Sequence, residues 1–351
     1  MDTHNLLVVN PGSTSTKIAL FQNDNQSCAE VWRHDAAALR KCPALWDQFE
    51  LRWNDIHPWI CRNVRELSAV VGMGGLLRPL AGGTYRVNER MLADARANLQ
   101  GEHASNLGCA MAQRIADDYR CPAYVVDPVS VDEFEPLARY SGHPAIERRA
   151  LSHALNIHAA ARRAAEQLGL RLEESSFIVA HLGGGISIAP VKNGRIIDVN
   201  DASSDGPFSP ERTGGLPLQP FIKLCFSGRS EREMRALVMG KGGLVAYLGT
   251  NSALEVEQRI RAGDGKAREV YEAMGYQIAK EIGAMAAVLR GDVEAIVLTG
   301  GLAASTALMS WIIERVQFIA PPLVFPGEDE MKAMAQGALR VLRGQAPALE
   351  Y

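Results

Sequence analysis

Apolar positions along this chain fall into two kinds of run. Short blocks, Leu6–Val9 and Ile18–Phe21, then 68–72, 123–127, 177–181 and 295–299, read as buried strands that lead into polar or glycine-containing loops. Between them, 88–100, 104–118, 147–168, 230–248 and 265–290 carry apolar residues at helical spacing among many Ala, Leu, Arg and Glu. Residues 156–167 are the plainest helix of the set. The alternation predicts an α/β fold with mixed sheets covered by helices.

The first two strands flank Asn10-Pro-Gly-Ser-Thr-Ser-Thr-Lys17. Two short strands joined by a tight Gly/Ser/Thr turn make a hairpin. Gly12 permits close backbone approach, and backbone N–H groups with the hydroxyls of Ser13, Thr14, Ser15 and Thr16 converge beside Lys17, a cradle for phosphate. An ordinary polar turn is the alternative. No Gly-Lys-Ser/Thr opens a helix here, so this is not a P-loop. The arrangement returns at 177–198, where a strand, the turn Gly183-Gly184-Gly185 and a second strand precede a hairpin signal at Asn193-Gly194. A third glycine turn, Thr299-Gly300-Gly301, follows a strand and opens a helical stretch, which suits a nucleotide lying against backbone. Each turn alone is a weak signal; their repetition suggests two duplicated halves.

Composition narrows the class. The chain has 351 residues, long enough for two domains, and 47% hydrophobic content excludes a disordered protein. A net charge of −3 gives no reason to expect nucleic acid or an anionic membrane as partner. No apolar run approaches the roughly 20 residues that span a bilayer, and the start lacks a signal peptide's basic and apolar segments. Cys28, Cys42, Cys61, Cys109, Cys121 and Cys225 form neither a CxxC pair nor a regular framework, so they read as reduced thiols of a cytoplasmic protein.

Taken together, these stretches resemble the acetate and butyrate kinase family, within the actin, sugar-kinase and Hsp70 superfamily. Asn10–Lys17 is similar to its first phosphate motif, His181–Ser187 to its second, and Val297–Ser305 to its adenosine motif. Gly74–Pro79 with Gly82–Tyr85, Gly101–Gly108, Asp127–Asp132 and Gly206–Pro217 resemble the butyrate kinase branch in particular. The resemblance implies two duplicated actin-like, ribonuclease H-like domains with a central nucleotide cleft. They would span 1–148, with a returning C-terminal helix in 331–351, and 149–330. It also implies ATP/ADP and Mg2+ as cofactors, a short carboxylic acid as acceptor, an acyl phosphate as product, and a homodimer formed through the second domain.

A carboxylate needs no general base, so this chemistry calls for cations and donors that bring two anions together. By resemblance, Arg212 contacts the transferring phosphoryl group or the substrate carboxylate, and His153 stabilises the transition state. His181 donates to a phosphate oxygen, His103 lies at the acyl site, and Asp127 orients the arginine or a magnesium water. Asn10 stands where related kinases often carry Asp and would hold magnesium through water. Gly327-Glu328-Asp329-Glu330 resembles the family's acidic magnesium motif, with Glu328 and Glu330 both candidates. Plain readings stand beside these: an Arg212–Glu211 surface pair, core histidines, a turn-starting Asp127, and acids that suit a helix N-terminus.

Two departures matter. Where butyrate kinases carry Gly-Arg-Gly-Gly, this chain has Gly72-Met73-Gly74-Gly75, and methionine cannot neutralise phosphate. Either Arg78 or Arg86 takes the arginine's place, or the enzyme is slow, or the chain binds nucleotide without transfer. Ser152 replaces the Phe usual before the histidine and would alter packing around His153. A sugar kinase would need an aspartate base and would leave Arg212 and the histidines unexplained.

Overall fold

The computed structural model describes residues 3–351. Twelve strands form two sheets: β1 (Asn5–Pro11), β2 (Ser15–Gln22), β3 (Asn25–Arg33), β4 (Ala69–Gly72), β5 (Thr84–Arg86), β6 (Ala123–Val126), β7 (Ser176–Leu182), β8 (Ile186–Lys192), β9 (Arg195–Ile196), β10 (Ala295–Gly300), β11 (Pro322–Pro326) and β12 (Leu349–Glu350). The first sheet runs β12-β5-β6-β4-β1-β2-β3 and the second β11-β10-β7-β8-β9. β1 is antiparallel to β2 and parallel to β4, which is parallel to β6. β7 is likewise antiparallel to β8 and parallel to β10, which is parallel to β11. Five strands of the first sheet thus match the second in order and direction. That is the α/β duplication anticipated from the repeated turns.

The chain divides into two compact units, one running to Val131 and taking in Asp329–Tyr351, the other Asp132–Glu328. The sequence reading puts the division at 148/149; here it falls at 131/132. Residues after 131 bond into the second unit: Glu133 accepts from the Ile196 N–H at 2.7 Å, and the Glu135 N–H donates to the Ile197 carbonyl at 3.0 Å.

In the first unit, Leu7, Val9, Val70 and Val125 face helices that supply Ile56, Ile60, Met91, Met111 and Ile115, all buried. The helix Glu330–Leu342 lies so close to β6 that a Cβ on Gly337 would sit 2.4 Å from Val126. In the second, Ile178, Ile188, Ile296 and Leu298 pack against Tyr271, Met274, Ile278 and Ile282 of the long helix Gly265–Val288.

The expected helices appear with changes. The helix expected over 147–168 begins only at Ala154; ahead of it the Arg148 backbone N–H donates to the Arg139 carbonyl, and its guanidinium to those of Ala138 and Val199. The stretch 230–248 is two helices, Glu231–Val238 and Gly243–Leu248, parted where Gly240 and Gly243 take φ of +112° and +59°. The helix Gln48–Asn63, to which the sequence reading assigns nothing, holds Pro58 in its interior. Asn193 and Gly194 both have positive φ, as a tight primed hairpin turn requires.

Candidate active site

In the second unit the β7–β8 turn is pressed against a cation. A Cβ on Gly185 would lie 2.4 Å from Nη1 of Arg212, so only glycine lets the guanidinium reach the turn. Nη1 of Arg212 donates to the Ala202 carbonyl at 2.9 Å, while its buried Nε has no partner among the described residues. The plain reading of Arg212 as a surface pair with Glu211 is not what forms: Glu211 approaches Asn251 instead. Burial lowers the Arg212 pKa, only partly offset by Glu211 and Asp201, so the site holds an incompletely compensated positive charge.

His153 and His181 stack beside it, ring centroids 4.2 Å apart. His153 Nδ1 lies 2.9 Å from the Ser187 hydroxyl at the start of β8. Burial, then His181 and Arg212, push the His153 pKa well below 6.5, so the ring is neutral at pH 7. His181 Nε2 is 3.4 Å from Glu328, and its buried Nδ1 has no hydrogen-bond partner among the described residues. Supports to which the sequence reading assigns no role hold the turn: Ser209, within the Gly206–Pro217 motif, donates its hydroxyl to the Gly184 carbonyl at 2.6 Å, and Asn200 bridges Ile188 N–H and Ile186 carbonyl. Gly300, with φ +96°, backs onto Leu182 and pairs with Gly327; around Gly301 a Cβ would meet nothing within 4 Å.

In the first unit, the exposed Ser13 and Thr14 tip the β1–β2 turn, with Gly12, Ser15 and exposed Lys17 beside them. Asn10 donates through Nδ2 to Glu330 at 2.9 Å. Asp127, at φ +39°, accepts from the Gly83 N–H at 2.7 Å and so ties down the Gly82-Gly83 loop. His103 caps the turn Ala104–Leu107 through Ser105. Arg78 is not free to serve as a substrate cation: it makes a two-pronged pair with Asp94 and its N–H meets the Tyr351 hydroxyl. Arg86 is exposed on β5. Buried Asn106, given no role of its own within the Gly101–Gly108 motif, binds Leu76 N–H, Asn98 and the Gly101 carbonyl, and a Cβ on Gly75 would strike it at 2.3 Å.

Among the described residues no group of three His, Cys, Asp or Glu could hold a metal ion, and no helix is long and apolar enough to cross a membrane. The acetokinase family profile matches residues 144–320. A probable butyrate kinase 2 of Caldanaerobacter subterraneus is 53% identical over 97% of both chains. The chain belongs to the acetokinase family.

Other relatives agree. A butyrate kinase 2 of Clostridium acetobutylicum is 50% identical and a probable butyrate kinase of Listeria monocytogenes 49%, each over 99% of both chains. Among solved structures, Porphyromonas gingivalis acetate kinase superposes with a TM-score of 0.78 at 19% identity, over 97% of this chain and 100% of that one. A Francisella tularensis propionate kinase gives 0.74 at 20%, over 95% and 98%. These two likenesses establish the actin-like fold of the acetokinases here.

Proposed function

We propose that this acetokinase-family chain transfers the γ-phosphoryl group of ATP reversibly to a short-chain carboxylate, butyrate or a branched analogue, giving an acyl phosphate and ADP. The observation that carries the reading is Arg212: a half-buried guanidinium against a glycine turn, beside two stacked histidines, with its buried Nε left over for an anion. The relatives named butyrate kinase support the choice of acid.

In this reading the carboxylate oxygen attacks the γ-phosphorus in line, and the bond to the bridging oxygen breaks with its electron pair leaving on ADP. Arg212 grips the equatorial oxygens or the carboxylate with its planar fork. Neutral His153, oriented by Ser187, and His181 supply further donors as charge spreads over the phosphoryl group. Asp127 and His103 act through the loops they hold, with His103 next to the acid. The turns 10–17 and 183–185 take phosphate oxygens, and Gly300 and Gly301 leave room for the adenosine.

Asn10 and Glu330 suit magnesium, since the Asn10 amide donates to Glu330 and leaves its carbonyl oxygen and a second carboxylate oxygen available. Bound there with most of its waters, the ion would neutralise phosphate charge. Glu328, turned to His181, is a lesser candidate.

A second reading, nucleotide binding with impaired transfer, is favoured by Met73, because, of the two arginines that could take the missing one's place, Arg78 is paired with Asp94. An arginine at the transition state is worth on the order of 10³–10⁵ in rate. Hydroxylamine trapping of acyl phosphate, with ATP, magnesium and short straight or branched acids, tests both readings. Product from the unsubstituted chain with butyrate or isobutyrate is the expected result. No product, with recovery in Met73→Arg, would establish the impaired reading; no product from either would end the kinase reading.

A further inference from the structure

The first phosphate turn has an unusual underside. Arg52, on the helix Gln48–Asn63, is completely buried, and its guanidinium binds the turn's carbonyls. Nη1 donates to Gly12 at 2.9 Å and Ser15 at 3.0 Å, and Nη2 to Ser13 at 3.2 Å. The one remaining carbonyl, that of Thr14, accepts from the His34 N–H at 2.9 Å. Every carbonyl from 12 to 15 therefore has a protein donor, three of them the same guanidinium. No peptide bond among the described residues is cis, and in a trans peptide the N–H points opposite to the C=O. The N–H groups of Ser13 and Thr14, which oppose the two carbonyls of Gly12 and Ser13, are consequently turned away from Arg52. Both, on exposed residues, have no protein acceptor among the described residues.

A relay locks this arrangement. Nη1 of Arg52 also donates to the Thr16 hydroxyl at 3.2 Å, which lies 2.8 Å from Nε2 of His34, whose Nδ1 is 2.9 Å from Asp55. A carboxylate only accepts, so Nδ1 carries the proton, Nε2 accepts from Thr16, and the donors run in one direction from Arg52 to Asp55. Gln48 holds the other side of the guanidinium through its carbonyl oxygen at 2.9 Å.

We infer that Arg52, with His34 and Asp55, is a positioning device that orients the backbone N–H groups of the 12–15 turn toward a nucleotide phosphate. Its cation also adds positive potential behind the anion site. None of these three side chains touches substrate; they act through the turn. The inference rests on the kinase reading for the identity of the phosphate, but calorimetric titration with ADP decides it without any transfer.

Arg52→Met keeps most of the apolar stem and removes the donors. It should weaken ADP binding at least tenfold and raise the KM for ATP, while the KM for the acid stays within about twofold. Asp55→Asn, altering a half-exposed side chain, should weaken ADP binding severalfold with its melting temperature nearly unchanged, and it decides the matter if Arg52→Met does not fold. Ile56→Val, a core change on the same helix, is the control for mere destabilisation: lower melting temperature, unaltered ADP affinity. Folded Arg52→Met, or folded Asp55→Asn, that binds ADP as tightly as the unsubstituted chain overturns the inference. An unsubstituted chain that binds ADP but makes no acyl phosphate removes the kinase reading alone.

Discussion

His153 carries its neutrality as a cost on the acid side. Its pKa in the folded chain lies well below 6.5 because of burial, His181 and Arg212, whereas the unfolded chain takes up the proton near 6.5. Below that pH the unfolded state binds the extra proton and stability falls, by up to about 1.4 kcal/mol per pH unit, until the folded pKa is reached. His34, lowered first by burial and next by Arg52, adds to the loss, while Asp55 opposes it. Denaturant midpoints measured between pH 7.5 and pH 5 should therefore drop with acidification, and His153→Gln should flatten the drop without abolishing it. An unchanged slope in that variant would assign the effect elsewhere. Arg212 was legible as a candidate because it stands in a motif; Arg52 was not, since nothing local separates a buried arginine from an exposed one. What decides its place is a set of carbonyls about 40 residues earlier in the chain.

At the scale of elements, the two glycine turns solve one problem in different ways. The β1–β2 turn is shaped from below by an arginine, whereas the β7–β8 turn is thin enough for an arginine to lie on it. Gly185→Ala tests the second arrangement: its Cβ would sit 2.4 Å from Nη1 of Arg212 and push the guanidinium away. Acyl phosphate formation should fall about 100-fold in kcat, the size of losing one transition-state donor, with little change in melting temperature. Retained kcat would mean that the contact carries no catalytic weight. The strands around both turns were readable from apolar runs, because burial on both faces removes alternation and leaves continuous Val, Ile and Leu. The helix Gln48–Asn63 was not, because Pro58 and charged or polar residues among its apolar ones, Arg52 on the buried face included, hide its period. The helix that positions the first turn is thus one that local pattern conceals.

At the scale of the whole molecule, the second unit leaves apolar side chains uncovered. The helix Leu218–Cys225 buries none of its residues; Leu218 is 72% exposed and the following Phe226 87%. Exposed apolar clusters of this kind mark association surfaces. The expected outcome is a homodimer in solution, with light scattering giving twice the mass of the single chain, and Phe226→Asp shifting it toward monomer. A parent chain that stays monomeric at every concentration would remove that expectation.

The chain by itself determined the strands, the repeated glycine turns and the kinase-like motifs, because these are local: burial sets apolar runs, and tight turns demand glycine. Tertiary structure alone decided what surrounds each charge. It placed Arg78 with Asp94 rather than with a substrate, paired Asn10 with Glu330 rather than Glu328, left Arg212 incompletely satisfied, and set Arg52 beneath the first turn. The energy of a buried charge depends on partners distant in sequence, so no local pattern reports it.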